Sequence, residues 1–513
     1  MARNYRPVDR DQPFLVPPDM RDWLSADHLV WFILEVVAEL DTSALHAKSK
    51  RGGVGREGYD PDVLLGVLFY ASTQGIRSSR QIERACSEDV AFRVLCAQDV
   101  PDYTVLAKFR QAHQDAMADL FAQVLALCVG RGLGRFGVIA IDGTKIKANA
   151  SKEKMRTLKK LRELAAEELA AAAEIDAAED AALVPAAGDD LPPGFEPGSD
   201  RRSRIRAAIK DLEDVVQDEN KPHDDALEKR LVKAEAKLAR LEANRALLQQ
   251  KYDAAVALNR TPKNAPSPDT TRLQDARKGV VHARALLERS AAHAAKEAAG
   301  DTDRTRRTRR ILQRNTTDPQ ARMMHTRDGY IMGYNAQLAV AEGQLIVAVT
   351  ATDAPNDQEQ LVPMMERVDA AIKHCQAVTE RTDLVVGTVV FDNGYLSEEN
   401  VNAPGYDRLI APGRGAMKDG KWAGKVKGRE GQKISDAAQI MLTKLALPGN
   451  QEIYNRRSPI VEPVNGHLKD RRRLRQFGRR GLAAVDAELN FDAMTTNLMK
   501  LFTQVWQPAR IQT

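Results

Sequence analysis

A long stretch in the middle of the chain, residues 151–315, differs in composition from the sequence on either side of it. Alanine, glutamate, lysine and arginine dominate it. Two series of apolar residues recur there at alternating steps of three and four, from Leu227 to Tyr252 and from Leu273 to Leu287, and Arg245 alone breaks the first series. That spacing predicts long paired helices or a coiled coil. Whether these helices pair within one chain or between two chains stays open.

Two short apolar runs, one on each side of this stretch, predict strands that end in an aspartate. The run 136–141 precedes Asp142 and a predicted glycine turn, and the run 384–391 precedes Asp392. The C-terminal edge of a strand is where α/β sheets present metal-binding carboxylates. An aspartate in that position also commonly caps the following turn, so the pattern by itself permits either role.

The order of these segments predicts an α/β protein with four parts. Residues 1–134 are expected to form an N-terminal helical domain, and residues 135–150 the first strand of an α/β domain. The stretch 151–315 is then a helical insertion after that strand, and residues 316–507 complete the α/β domain. Sequence elements that alternate between strand and helix favour a mixed sheet with helices on its faces.

The N-terminal part contains short helices joined by tight turns, a pattern compatible with a helix-turn-helix-like unit. Arg77 and Arg80 are candidates for contact with DNA phosphates. A plain helical bundle with solvated arginines is the alternative for this part of the chain.

A basic segment near the C-terminus carries one carboxylate among cations. Pro463 suits the first turn of a helix, where its missing N–H has no partner in any case, so the predicted helix runs from about Glu462 to Arg475. Glu462, Gly466 and Lys469 would share one face of it. A carboxylate beside cations suits a metal ion next to a phosphate backbone; the alternative is a solvated basic helix with an ordinary glutamate.

The same segment resembles the signature of the DDE transposases of bacterial insertion sequences, in which a tyrosine and an arginine precede a glutamate and a lysine. Tyr454, Arg457, Glu462 and Lys469 match it. The commonest form has three residues between the arginine and the glutamate; four follow Arg457 here, which leaves Arg456 as the alternative.

Other segments extend the resemblance over most of the chain outside the insertion. The segments GREGYDP, GIRSSRQIE and PDYTVLAKFR resemble the N-terminal domain of the family. TDPQARM and GYNAQ resemble further family motifs. The segment IDGTKIKANAS resembles the region of the first catalytic aspartate, and Asp392 takes the place of the second.

This resemblance implies a ribonuclease H-like catalytic domain with a mixed sheet, an N-terminal all-α domain and a coiled-coil insertion after the first strand. It implies that Asp142, Asp392 and Glu462 are the catalytic residues and hold the metal. Ligands that are all oxygen favour Mg²⁺, with Mn²⁺ as a substitute. The implied reaction is cleavage of DNA at transposon ends, followed by transfer of a 3′-OH strand into target DNA.

The implied partners are DNA, as terminal repeats and as target, and further copies of the chain. The residues expected to contact DNA, besides Arg77 and Arg80, are Lys145, Tyr454, Arg457, Lys469, Arg471, Arg472 and Arg473. Alternative functions are a catalytically inactive DNA-binding protein derived from a transposase, a metal-dependent nuclease without strand transfer, and a coiled-coil interaction protein.

The cysteine spacing and the hydropathy of the chain indicate in which cellular compartment the protein is expected. The four cysteines lack C-x2-C spacing, which argues against a zinc site or a disulfide framework and for a reducing compartment. No apolar run reaches the length of about 18 residues that a membrane helix needs, and the N-terminus lacks the apolar core of a signal peptide. We therefore expect a cytoplasmic protein without membrane contact, associated with the nucleoid.

Overall fold

The protein, seen in a computed structural model, divides into two compact units. The first comprises Met1–Ala150 together with Gln320–Thr513, and the second comprises Ser151–Pro319. The structure describes the following residues: 19–48, 58–167, 201–258, 267, 269–298, 313–326, 328–418, 421–426 and 434–511. None of the helices in these ranges is both long and apolar enough to cross a membrane.

A mixed sheet forms the centre of the first unit, as the alternation of apolar runs predicted. Among the described residues it has six strands: β1 (Arg135–Lys147), β4 (Arg322–Thr326), β5 (Gly329–Glu342), β6 (Leu345–Thr352), β7 (Thr388–Phe391) and β8 (Asp407–Ile410). The order is β4-β5-β1-β7-β8, and β6 also pairs with β5. The pairs among β1, β4, β5 and β6 are antiparallel, whereas β7 pairs in parallel with both β1 and β8.

The first strand extends beyond its apolar run. The apolar run does end at Ile141, and the parallel pairing with β7 ends there too. The predicted glycine turn after Asp142 is wrong, because β1 continues to Lys147 in antiparallel register with β5. The long partner strand supplies hydrogen bonds to this polar continuation, which a purely local pattern does not reveal.

Helices cover the sheet and account for most of the remaining residues of this unit. They are α1 (Leu29–Glu39), α2 (Ser43–His46), α3 (Pro61–Thr73), α4 (Ser79–Glu88), α5 (Val90–Leu95), α6 (Tyr103–Ala112), α7 (Met117–Gly130), α11 (Leu361–Thr379), α12 (Glu398–Asn402), α13 (Asp436–Leu445), α14 (Asn450–Asn455), α15 (Arg457–Asp470), α16 (Leu482–Leu501) and α17 (Gln507–Ile511). A π-helical turn, Phe502–Trp506, joins the last two, and a hairpin of β9 (Gly413–Lys418) and β10 (Lys421–Val426) follows β8.

The N-terminal helices and the sheet share one core through α16. This helix contacts β6, α7 and α3. The rings of Phe69 on α3 and Phe491 on α16 stack with centroids 5.2 Å apart. Close packing of this kind ties the N-terminal helices to the rest of the first unit rather than leaving them as a separately packed bundle.

The second unit contains the predicted paired helices. Its elements are the helical residues 158–167, which belong to α8, then α9 (Arg201–Ala257), α10 (Thr271–Ala298) and a two-stranded pair of β2 (Met155–Thr157) with β3 (Gln313–Asn315). Residues 168–200 and 299–312 of the insertion lie outside the described part of the chain.

The helices α9 and α10 pair within the chain, which answers the question that the sequence left open. Ion pairs join Glu242 to Arg277 and Glu235 to Arg284, so the two helices run antiparallel. Leu273, one of the predicted positions of the second series, is buried. Leu248 of the first series is 57% exposed, whereas Arg245, which interrupts that series, is partly buried.

Candidate active site

Asp142 and Asp392 lie side by side at the centre of the mixed sheet. The parallel register pairs Ile141 of β1 with Phe391 of β7; Asp142 is the next residue of β1, and Asp392 directly follows the end of β7. The Asp142 side chain is 19% exposed. The Asp392 side chain accepts a hydrogen bond from the backbone N–H of Gly394 at 2.8 Å. The structure thus brings together two of the three predicted carboxylates, although they are 250 residues apart in sequence.

The electrostatics of the two aspartates reflect burial and mutual repulsion. Burial raises the pKa of Asp142 to about 6; the Arg457 guanidinium opposes this shift, and the carboxylates of Asp392 and Asp357 add to it. Burial also raises the pKa of Asp392, against the hydrogen bond from Gly394 and the charge of Arg457. Carboxylates that raise one another's pKa in this way are held close without enough positive charge to neutralise them.

Helix α15 lies against β1 and supplies the other side of the site. It begins at Arg457, five residues earlier than the sequence suggested. Pro463 therefore lies inside the helix rather than in its first turn. The missing N–H of Pro463 leaves the carbonyl of Pro459 free, and that carbonyl accepts a hydrogen bond from the Gln344 side chain at 3.3 Å. The contact compensates for part of the cost of a proline in this position.

The helix directs one cation and one amide at Asp142. The Arg457 Nη1 atom lies 3.6 Å from Asp142 Oδ1. Burial lowers the pKa of Arg457 and the Asp142 charge raises it, with a net rise. The Asn465 side chain donates to Asp142 Oδ2 at 3.1 Å. Arg456, the alternative to Arg457 in the signature, instead pairs with Glu342 at 2.9 Å.

Glu462, the third predicted carboxylate, faces outward. It is exposed, and its Oε1 accepts a hydrogen bond from the Ser458 hydroxyl at 2.8 Å. Within the described residues, the group with three possible metal-binding atoms inside 4.8 Å of one another is His46, Asp60 and Asp62, which lies on the N-terminal helices and is largely exposed. The three predicted carboxylates do not converge to that degree in this structure.

Three of the residues expected to contact DNA surround the aspartates. Tyr454 is buried, interacts with Arg457 and places its ring edge-on to Trp422, with centroids 5.9 Å apart. Lys469 donates a hydrogen bond to the Thr144 hydroxyl, and burial lowers the pKa of Lys469. Lys145 pairs with a fourth carboxylate instead, as described below.

Arg77 and Arg472 are engaged within the protein, so their expected contact with DNA phosphates needs correction. Arg77 pairs with Glu488 and, at 2.7 Å, with Asp492 on α16, and it donates to the Arg472 carbonyl at 3.0 Å. Arg472 is 2% exposed and donates to the Ser72 carbonyl at 3.1 Å. Burial lowers the pKa of Arg472 to about 10. The Arg472 guanidinium joins α3 to α16. The Arg77 guanidinium joins the segment between α3 and α4 to α16, with 22% of its side chain exposed.

The remaining expected DNA contacts lie at the surface. Arg471 and Arg473 are exposed. Arg80 is exposed as well, and its guanidinium lies over the Tyr103 ring, 5.0 Å from the centroid. Exposed arginines of this kind are free to approach a nucleic-acid backbone.

Sequence reasoning missed four polar residues of the site. Asn335 and Gln337 are fully buried on β5, and Asp357 accepts hydrogen bonds from both. Asn465 lies one helical turn beyond Glu462. The alternating polar residues of GYNAQ were a usable signal for the first pair, because buried polar side chains on a central strand need partners. Nothing local marked Asp357, which follows a strand in a polar loop.

Two sequence profiles match the chain. A transposase domain (DUF772) matches residues 18–112, and a transposase DDE domain matches residues 423–502. Together the two matches support a DDE transposase of insertion-sequence type. The second match contains Glu462, whereas Asp142 and Asp392 lie outside both matched ranges. No curated protein and no solved structure matches the chain.

A transposase of this family is a nuclease-type enzyme whose partner is DNA and whose reaction uses a divalent metal ion. The side chains around Asp142 and Asp392 fit such an ion. They offer carboxylate and amide oxygens, the donors that Mg²⁺ and Mn²⁺ prefer. In addition, the buried Oδ1 of Asn465 has no hydrogen-bond partner among the described residues, while Nδ2 of the same amide donates to Asp142. An unpaired buried oxygen beside a carboxylate pair is a natural ligand for a cation.

Proposed function

We propose that the transposase cleaves DNA at transposon ends and transfers the resulting 3′-OH strand into target DNA. The observation that carries this proposal is the adjacency of Asp142 and Asp392 on two parallel strands, beneath the helix that bears Glu462. Two carboxylates buried together, with raised pKa values, mark a functional site more often than a structural one.

The layout of the sheet supports a ribonuclease H-like catalytic domain. Antiparallel strands β4, β5 and β6 lie on one side of β1, and the parallel strands β7 and β8 lie on the other. The chain leaves β1, passes through the second unit and returns at β4. On this interpretation, the second unit is an insertion after the first strand of the catalytic domain.

We propose Asp142, Asp392 and Glu462 as the residues that hold the divalent ions, with Asn465 as an additional oxygen donor. Divalent ions in such a site stabilise the negative charge on the attacking and leaving oxygens of an in-line displacement at phosphorus. Glu462 would have to give up its bond to Ser458 to join the two aspartates. A long side chain in an exposed position makes this change at little cost.

The protein's own residues then orient the scissile phosphate. In cleavage, a water oxygen bonds to phosphorus, the P–O3′ bond breaks and a proton passes to the 3′ oxygen. In strand transfer, that 3′ oxygen bonds to a phosphorus of the target as the target's own P–O3′ bond breaks, and the proton of the attacking hydroxyl passes to the released 3′ oxygen. Arg457 and Lys469 place positive charge at the site, which offsets the charge of the pentacovalent phosphorus.

Surface cations would position the DNA outside the site. Arg80, Arg471 and Arg473 are exposed and suit contact with phosphates, which fixes the duplex without reading its sequence. Tyr454 would support Arg457 beside the scissile phosphate. We further propose that the transposase acts as an oligomer on paired DNA ends, in keeping with the family.

The test is a cleavage and strand-transfer assay on duplexes that carry the terminal repeats of the element, with Mg²⁺ or Mn²⁺. The variants Asp142→Asn, Asp392→Asn and Glu462→Gln should each abolish cleavage and retain DNA binding, because they remove charge from the site without changing side-chain shape. Asp383→Asn is the matched control, since Asp383 is exposed and pairs only with its neighbour Arg381 among the interactions described.

Wild-type cleavage that persists in Asp142→Asn or Asp392→Asn would refute the proposed site. Cleavage by the wild type without joining to a target duplex would reduce the function to that of a metal-dependent nuclease. DNA binding without any cleavage would instead favour the inactive, transposase-derived binding protein.

A further inference from the structure

A fourth acidic residue, Asp357, lies behind the two aspartates of the site. It is in the loop that follows β6, and its side chain is 19% exposed. One of its oxygens, Oδ1, accepts three hydrogen bonds, from Lys145 Nζ at 3.0 Å, Asn335 Nδ2 at 2.7 Å and Gln337 Nε2 at 2.8 Å. Three hydrogen bonds to one oxygen hold a largely buried carboxylate in a single orientation.

This carboxylate lies on the face of β1 opposite to Asp142. Side chains alternate along a strand. Asp142 and Thr144 contact α15 through Asn465 and Lys469. The intervening positions, which include Lys145, face the other way, and the Lys145 ammonium reaches Asp357 there. Asp357 therefore contacts β1 on one face of the sheet, whereas α15 contacts Asp142 on the other face.

Two glycines next to the catalytic aspartates make room for Asp357. A Cβ atom added to Gly143 would lie 2.4 Å from Asp357 Oδ1 and 2.5 Å from Gln337 Nε2. A Cβ added to Gly394 would lie 2.9 Å from Asp392 Oδ1 and 3.2 Å from Asp357 Oδ2. Neither glycine is among the residues with positive φ, so their backbone conformations are open to other amino acids. Space for the Asp357 carboxylate is the physical reason for a glycine at position 143, and at position 394 the glycine leaves space for the carboxylates of both Asp392 and Asp357.

A second connection links Asp357 to the turn that carries Asp392. Asp392 caps a short turn, Asn393–Tyr395. Tyr395 is fully buried, and its hydroxyl donates to Gln337 Oε1, while the amide of the same glutamine donates to Asp357. The residue after Asp357, Gln358, donates to the Leu396 carbonyl at 2.8 Å. The turn is thus held on both sides by Asp357 and its neighbours.

We propose that Asp357 is a positioning residue of the transposase, which fixes the turn that carries Asp392 through Gln337 and Tyr395, with Lys145 as its counterion. The catalytic part of this inference rests on the proposed function. The structural part, that Asp357 immobilises residues 392–396, does not depend on it. Hydrogen-bonded partners behind a metal-binding carboxylate commonly matter for metal affinity and rate.

The direct test is hydrogen–deuterium exchange of residues 392–396 in the full-length protein without DNA. Asp357→Asn removes the negative charge that accepts hydrogen bonds from Lys145, Asn335 and Gln337. Tyr395→Phe removes the hydroxyl that joins the turn to Gln337. Each should speed exchange in this segment about tenfold, since one lost buried hydrogen bond is worth about 1–1.5 kcal/mol. Asp353→Asn is the control on the same loop, because Asp353 is partly exposed and pairs with Arg322; it should leave exchange unchanged.

The accessibility of Lys145 gives an independent readout. The Lys145 side chain is 15% exposed in its pair with Asp357. Acetylation by an amine-reactive reagent, read by mass spectrometry, should therefore be slow in the wild type and in Asp353→Asn, and faster in Asp357→Asn. Unchanged exchange at 392–396 together with unchanged Lys145 labelling would overturn the inference, even if the variant were inactive.

Cleavage assays test the catalytic consequence. Asp357→Asn should lower the cleavage rate about 10–100-fold and raise the Mg²⁺ concentration for half-maximal rate, with unchanged affinity for DNA. The double variant with Tyr395→Phe should lose little more than the single ones, because both act on one turn. Faster exchange with wild-type cleavage would reject a catalytic role for Asp357. If the wild type failed to cleave, the proposed function would fall, while the exchange and labelling results would still decide whether Asp357 holds the turn.

Discussion

Arg77 offers a test of whether the N-terminal helices bind DNA through this arginine or are anchored by it. Its side chain is 22% exposed, and its partners on α16 are more deeply buried, with Glu488 at 13% and Asp492 at 4%. Arg77→Met keeps most of the apolar stem and removes the charge. Two carboxylates would then remain buried without this partner, a change that typically costs about 3–5 kcal/mol.

That cost translates into a measurable shift in melting temperature. For a unit of roughly 350 residues, an unfolding entropy of about 2.1 cal/mol/K per residue gives a fall of about 4–7 °C in the melting temperature. Differential scanning calorimetry of the full-length protein can resolve the shift. Arg84→Met is the matched control, because Arg84 forms an exposed ion pair with Glu88 one turn away. Such pairs contribute about 0.3–0.5 kcal/mol, which corresponds to less than about 1 °C here.

The salt dependence of DNA binding separates the two roles of Arg77. If Arg77 is structural, the Arg77→Met variant that remains folded should show the same slope as the wild type when the logarithm of the DNA-binding constant is plotted against the logarithm of the salt concentration. An arginine that contacts a phosphate would reduce that slope by about one and leave the melting temperature as it was. The second result would refute the structural role of Arg77 in joining the segment between α3 and α4 to α16.

Three further predictions concern stability and DNA binding. First, burial raises the pKa of Asp142 to about 6, so ionisation of this carboxyl destabilises the folded state. The loss of folding free energy is absent below about pH 4, grows between about pH 4 and pH 6, and is complete above about pH 6. In metal-free buffer at pH 7.5, Asp142→Asn should therefore melt higher than the wild type, by the equivalent of about 3 kcal/mol, and the gain should vanish towards pH 4; no gain at pH 7.5 would contradict it. Second, Arg471→Gln combined with Arg473→Gln should reduce the salt slope of DNA binding by about two with an unchanged melting temperature, whereas an unchanged slope would exclude both from the phosphate contacts. Third, Gly387→Ala should lower the melting temperature, because its Cβ would lie 2.3 Å from the Gly137 carbonyl oxygen; Gly279→Ala, with open space around it, is the control and should not.

Local patterns in the sequence predicted the elements whose signals are short-range. The β-branched runs before Asp142 and Asp392 do form neighbouring strands, and the apolar series from Leu273 does pack on a long partner helix. The start of α15 was misplaced, because Pro463 suggested a first turn while a tertiary contact from Gln344 compensates for the free Pro459 carbonyl inside the helix. A contact from a residue more than 100 positions away leaves no local mark.

The sequence by itself determined which residues could carry the chemistry: two strand-end aspartates and a glutamate on a basic helix. Motif and periodicity are properties of neighbouring residues, and they can be recognised without a fold. The tertiary structure alone decided which charged side chains form contacts within the protein and which remain at its surface. Arg77 and Arg472 cannot be told from Arg471 and Arg473 by residue type, yet the first two contact α16 and the other two face solvent. The same holds for Asp357, because only the pairing of β1 with β5 and the approach of the turn at Asp392 bring its three donors and two glycines around one carboxylate.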